Sequence, residues 1–74
     1  MMNPKPRKWR VSAEAFPSDQ DFTGELRRLL SNKCKSRDDV DDCMTANVTR
    51  YGALDKATRG QIDKLAGERK AGLG

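Results

Sequence analysis

Apolar residues recur at helical spacing along most of the chain, and the pattern is clearest between Ser36 and Gly52. At 100° per residue, Val40, Cys43, Met44, Asn47, Val48 and Tyr51 fall within an arc of about 140°, wide enough for a stripe that faces a core. Ser36 opens the stretch as an N-cap, and Asp39 reaches back toward the Ser36 amide in a variant of the capping box worth about 1 kcal/mol. Asp38, Asp39, Asp41 and Asp42 crowd the positive end of the helix dipole, and Arg50 sits near the negative end. Gly52 then supplies a residue free to turn left-handed, on which many helices stop. The pattern predicts one continuous helix from Ser36 to Tyr51.

Two further helices follow from the same signals. Ser18 and Asp21 form a capping box directly after Pro17, ahead of Phe22, Leu26, Leu29 and Leu30 on one face. The stem of Lys33 continues that face while Arg27 and Arg28 point away, which predicts a helix from about Asp19 to Lys33. Cys34 and Lys35 form the junction into the Ser36 cap. Beyond Gly52, Ala53 to Ala57 is a connector or a short helical turn. Thr58 and Gln61 then make a third capping box before Ile62, Leu65, Ala66 and the stem of Arg69. Gly60 and Gly67 weaken this last helix by up to about 2 kcal/mol together, so it draws stability from packing.

The first residues differ. Met1 to Lys8 holds Pro4, Pro6 and three cations with nothing to bury, and is expected to be a flexible, partly extended arm. Trp9 and Val11 alternate with Arg10 and Ser12, so Lys8 to Ser12 is read as a short strand or an extended segment lying on the helices. Ser12 to Phe16 closes one helical turn before Pro17 blocks it. The chain thus divides into a basic arm over 1–11, a compact helical domain over 12–70 and a frayed tail over 71–74. The fold class is all-α, a small three-helix bundle with an extended N-terminal arm.

Composition narrows the chemistry. Seventy-four residues make one small domain, with net stability of a few kcal/mol. The net charge of +4 and pI near 9.4 permit attraction to nucleic acid or to an acidic protein surface. Basic and acidic blocks alternate: Lys5 to Arg10, then Glu14 to Glu25, then Arg27 to Arg37, then Asp38 to Asp42. Partial pairing between blocks reduces the free basic surface. With two cysteines and no histidine, four-ligand zinc chemistry is out of reach for one chain unless carboxylates help. Cys34 and Cys43 are expected as reduced, small apolar residues in an intracellular protein, with a bridge between the two as the minority alternative. No run approaches a membrane span, and neither a nucleophile elbow nor a phosphate loop is present. Neither catalytic residues nor a metal or other cofactor are expected, and the chain is not an enzyme on this reading.

Two constellations carry binding. The arm residues Arg7, Lys8, Trp9, Arg10 and Val11 interleave cations with a large aromatic, which suits docking on a partner. Equally, Trp9 suits a core anchor, since so small a chain needs every large side chain. Alternatively, the last two helices form a helix-turn-helix in which Arg59, Gln61 and Lys64 read a groove, Arg and Gln at base edges and Lys at phosphate. A connection from Gly52 to Thr58 is long for that motif unless the second helix starts near Leu54. The four aspartates of the central helix lack the glycine-bearing loop and closing glutamate of a calcium site.

The arm Asn3-Pro-Lys-Pro-Arg-Lys-Trp-Arg-Val11, joined to a short bundle ending Asp63-Lys-Leu-Ala-Gly-Glu-Arg-Lys70, resembles the small transcription regulators that lytic Xanthomonas phages direct at host RNA polymerase. The resemblance covers most of the chain in length, arm and character. It implies a monomer in the bacterial host's cytoplasm that binds the β and β′ subunits of RNA polymerase, displaces σ factor from promoters and lets elongating enzyme pass terminators. It carries over no interface residue.

Overall fold

The computed structural model describes residues 9–73. Among the described residues, four helices and one wider turn follow in order: α1 (Asp19–Arg28), a π turn (Leu29–Lys33), α2 (Arg37–Ala46), α3 (Val48–Gly52) and α4 (Lys56–Leu73). The architecture is the small all-α bundle that the apolar spacing predicts. Among the described residues there is no strand, so residues 9–12 are not the short strand considered for Lys8 to Ser12.

The two strongest N-caps form where the sequence places them. Ser18 Oγ accepts from the Asp21 amide at 3.0 Å, and Ser36 Oγ accepts from the Asp39 amide at 3.1 Å. The Asp39 carboxylate reaches one residue further back than expected and accepts from the Lys35 amide at 2.8 Å. The turn before Pro17 also closes, with the Phe16 amide donating to Ser12 O at 2.9 Å.

Two interruptions depart from the predicted helices. The helix expected to run from Asp19 to Lys33 changes at Arg28 into the π turn, where the Cys34 amide donates to Leu29 O at 3.1 Å. The Leu30 carbonyl, its regular α-helical partner, instead accepts from Arg69 Nε at 2.8 Å. The helix expected from Ser36 to Tyr51 breaks at Asn47, whose backbone has φ −114° and ψ 16°. Here the Cys43 carbonyl accepts from Asn47's own Nδ2 at 2.8 Å, and the Asn47 amide turns to Met44 O at 3.2 Å. A side chain competing with the backbone for one carbonyl is a recognised way to end a helix.

The break rotates the following turn. Val48, predicted on the core stripe, is instead 58 % exposed. Gly52 ends α3 without a positive φ, so the left-handed stop expected there is not used. The last helix starts earlier than predicted, because Asp55 caps it: Oδ2 accepts from the Thr58 amide at 3.1 Å and Oδ1 from the Thr58 hydroxyl at 2.6 Å. It also continues to Leu73, which packs on the core, where residues 71–74 were expected to fray.

Helix α4 touches α1, the π turn and α2, and so closes the bundle despite its glycines. Phe22, Leu26, Leu30, Cys34, Val40, Cys43 and Ile62 are fully buried. Trp9 and Val11 join that core at 5 % and 4 % exposure. The packed body therefore begins at Trp9, not after residue 11. Each large core side chain contributes about 1.5–3 kcal/mol by burial, so two more matter to a domain this small.

Candidate functional site

The N-terminal segment is held by one buried side chain. Asn47, 4 % exposed, lies on the core face of the α2–α3 junction. Its Oδ1 accepts from the Val11 amide at 2.8 Å, and its Nδ2 donates to Trp9 O at 2.9 Å as well as to Cys43 O. A primary amide offers one acceptor and two donor hydrogens, and here both faces are engaged on backbone. The bonds to Trp9 and Val11 bracket Arg10, which stays exposed.

Arg10 borders a groove of about 440 Å³ whose other walls are Val11, Ala13, Thr45, Thr49 and Arg50. Thr45 and Thr49 are exposed on either side of the Asn47 break. The Arg50 guanidinium is fixed in place: Nη1 donates to Phe16 O at 2.9 Å, and Nη2 lies 3.4 Å from both Pro17 O and Ser18 O. Its centre sits 4.5 Å from the centroid of the Phe22 ring. A cation anchored on carbonyls keeps its positive charge and loses little freedom when an anion arrives.

Charge is divided unevenly along the sequence. Lys5, Arg7 and Lys8, with no acid before Glu14, supply three of the four net positive charges in the sequence. The bundle that follows is close to neutral, with Arg28 paired to Glu25 at 2.6 Å and Lys70 to Asp41 at 2.8 Å. The bond from Arg28 holds the Glu25 carboxyl below its ordinary range. Of the five arm residues expected to bind a partner, Arg7 and Lys8 lie outside the described residues. Trp9 and Val11 are turned into the core, and Arg10 faces solvent.

The alternative trio is dispersed. The connection from α3 to α4 is only Ala53 to Asp55, the length a helix-turn-helix needs. Gln61 and Lys64 line a groove between α4 and α1 together with Arg27 and Glu68. Arg59 is about 200° around the helix from Gln61, half-buried near Tyr51, with its Nε enclosed. The Tyr51 hydroxyl donates to Asp63 on that side, which raises the phenol above its ordinary value. Arg59, Gln61 and Lys64 therefore do not form one reading face.

Cys34 and Cys43 lie in the core as free thiols and influence each other's titration. Burial is the main cause that pushes the Cys43 thiol up to about 12 and raises Cys34 as well. Among the described residues, no group of three or more cysteine or acidic side chains is placed to hold a metal ion. No helix among them is long and apolar enough to cross a membrane.

The sequence reading missed Asn47, Arg50 and Arg69 as the side chains that organise the backbone. A signal existed for Asn47, since a polar residue on an apolar stripe needs buried partners. None existed for Arg50, whose carbonyl partners are more than 30 residues away in the chain. No family model, curated protein or solved structure matches this chain.

Proposed function

We propose that the protein is a non-enzymatic regulator that binds bacterial RNA polymerase through protein contacts. The contacts are made by Lys5, Arg7 and Lys8, which precede Trp9 in the sequence, and by the Arg10–Arg50 edge. The observation that carries this reading is the allocation of charge: the excess cations precede Trp9, and the bundle behind them is nearly neutral. The identity of the partner rests on the resemblance of arm and bundle to phage regulators of host polymerase. Arg7, Lys8 and Arg10 steer the encounter with an acidic surface and pair with it. Trp9 and Val11 serve indirectly, by holding Arg10 at the surface of the body. Displacement of σ factor, and passage through terminators, follow if the surface engaged lies on the β and β′ subunits in the host cytoplasm.

The test is binding of the full chain to purified core and σ-bound polymerase. Replacing Lys5, Arg7, Lys8 and Arg10 with alanine is expected to weaken binding at least about tenfold while the helical circular dichroism is retained. Equal affinity of the variant, or no binding by the parent chain, overturns the proposal. A groove-reading nucleic-acid binder gains from the short α3–α4 connection and loses from the separation of Arg59 from Gln61. For that reading, duplex affinity falls with salt by a slope near the number of neutralised phosphates, and an Arg59, Gln61 and Lys64 triple alanine variant loses it.

A further inference from the structure

We propose that Cys34 and Cys43 form a dithiol modification site, oxidised to an intramolecular disulfide by a low-molecular-weight disulfide such as glutathione disulfide. Three features converge on Cys34. The π turn carries it inward, so that its amide bonds to Leu29 O instead of Leu30 O. Arg69 fixes the backbone on both sides of that turn, donating through Nε to Leu30 O and through Nη2 to Cys34 O, each at 2.8 Å. The thiol then meets that of Cys43 within the core, where neither side chain has any exposure. The sequence contains no third cysteine, so each thiol has a single intramolecular partner.

The reaction proceeds in two exchanges. The Cys34 thiolate attacks one sulfur of the small disulfide, forming a mixed disulfide and releasing one small thiol. The Cys43 thiolate then attacks the Cys34 sulfur, closing the protein disulfide and expelling the second small thiol. The protein loses two hydrogens and two electrons, and the reagent gains both. Cys34 reacts first because it ends the turn at the connection to α2, beside exposed Lys33 and Lys35, which attract an anionic disulfide. Cys43 lies inside α2, where attack from solvent is blocked. With both sulfurs enclosed, the first exchange waits on local opening of the 34–36 connection, whereas the second needs only the native approach of the two residues.

The experiment treats the full chain with glutathione disulfide, in buffer and in urea below the unfolding midpoint, followed by mass spectrometry and non-reducing electrophoresis. The expected product is a monomer lighter by two hydrogens, formed faster in urea and reversed by dithiothreitol. Its thermal midpoint is expected to rise by about 10 °C, because the cross-link removes conformational entropy from the unfolded chain. Stable glutathionyl adducts or linked dimers as the main product, no reaction in either condition, or a lower midpoint overturns the proposal. Cys43→Ser is expected to accumulate the adduct at Cys34 faster than Cys34→Ser accumulates it at Cys43, and the reverse order overturns the assignment of Cys34 as the attacking thiol. If either variant fails to fold, the product formed by the unaltered chain decides.

Discussion

The two helix interruptions, at the π turn and at Asn47, are built by the same exchange of partners and yet respond to different parts of the molecule. In each, a side-chain N–H takes the carbonyl that a regular helix would reserve for the backbone amide four residues on. At Cys34 the displaced amide moves one carbonyl back, to Leu29. At Asn47 it moves one forward, to Met44. The donor at the first break is Arg69, from the last helix, so that break reports the docking of α4. The donor at the second is Asn47 itself, and its remaining polar atoms hold the N-terminal segment. One break is charged and half-exposed; the other is neutral and buried. Helix ends here are thus fixed by what the interruption must hold, and the more buried of the two is the costlier to disturb.

Asn47→Ala has the largest expected effect on that contrast. It removes the buried bonds to the Val11 amide and the Trp9 carbonyl, at a cost of about 3 kcal/mol or more. For a chain of this size that is most of the net stability. Urea denaturation followed by the emission of Trp9 checks it, and a loss below about 1 kcal/mol removes Asn47 from its role.

Alkaline pH comes next. The thiols of Cys34 and Cys43 have raised values in the folded chain, with Cys43 moved from 9.0 to about 12. A value raised by folding gives stability that is complete below the unfolded value and lost as pH rises through the folded one. The unfolding midpoint should therefore hold up to about pH 9 and decline toward about pH 12. Cys43→Ala is expected to make the decline shallower, even though it lowers stability at neutral pH by leaving a smaller side chain in the core.

Arg69→Met separates the two breaks. Losing two bonds from a cation to buried carbonyls costs about 2 kcal/mol, while the stem keeps its packing. With Leu30 O released, the Cys34 amide returns to it and the π turn relaxes toward regular helix. Amide temperature coefficients and exchange rates at Cys34 read this change, and the Asn47 break should be unaffected. Smaller still, Gly60→Ala and Gly67→Ala should each stabilise by up to about 1 kcal/mol, since an added Cβ meets open space at both positions. Arg10→Ala should leave the stability within about 0.5 kcal/mol of the parent, because that side chain is exposed.

Much of the fold was legible from local rules. Ser18 and Ser36 cap where their spacing to Asp21 and Asp39 predicts, and the Phe22, Leu26 and Leu30 stripe is core. The start of α4 was misread because Thr58 with Gln61 mimics a capping box, although the residue that caps is Asp55. Both interruptions escaped because the groups that cause them come together only in the folded chain. Periodicity kept Asn47 on the stripe without saying what its amide would hold. Of the candidate site, Arg10 was visible as an exposed cation beside Trp9. Its neighbours Thr45, Thr49 and Arg50 belong to another element, and only packing of the segment on the α2–α3 junction unites them.

The central claim is that residues 9–11 are part of the packed body, clamped by Asn47. Hydrogen exchange of the Val11 amide tests it most directly, because that N–H donates to a buried oxygen 36 residues away in the chain. Exchange slowed to the rate set by global unfolding is the predicted result. Exchange at the rate of a free chain, while the amides of Phe22 and Leu26 remain protected, contradicts it.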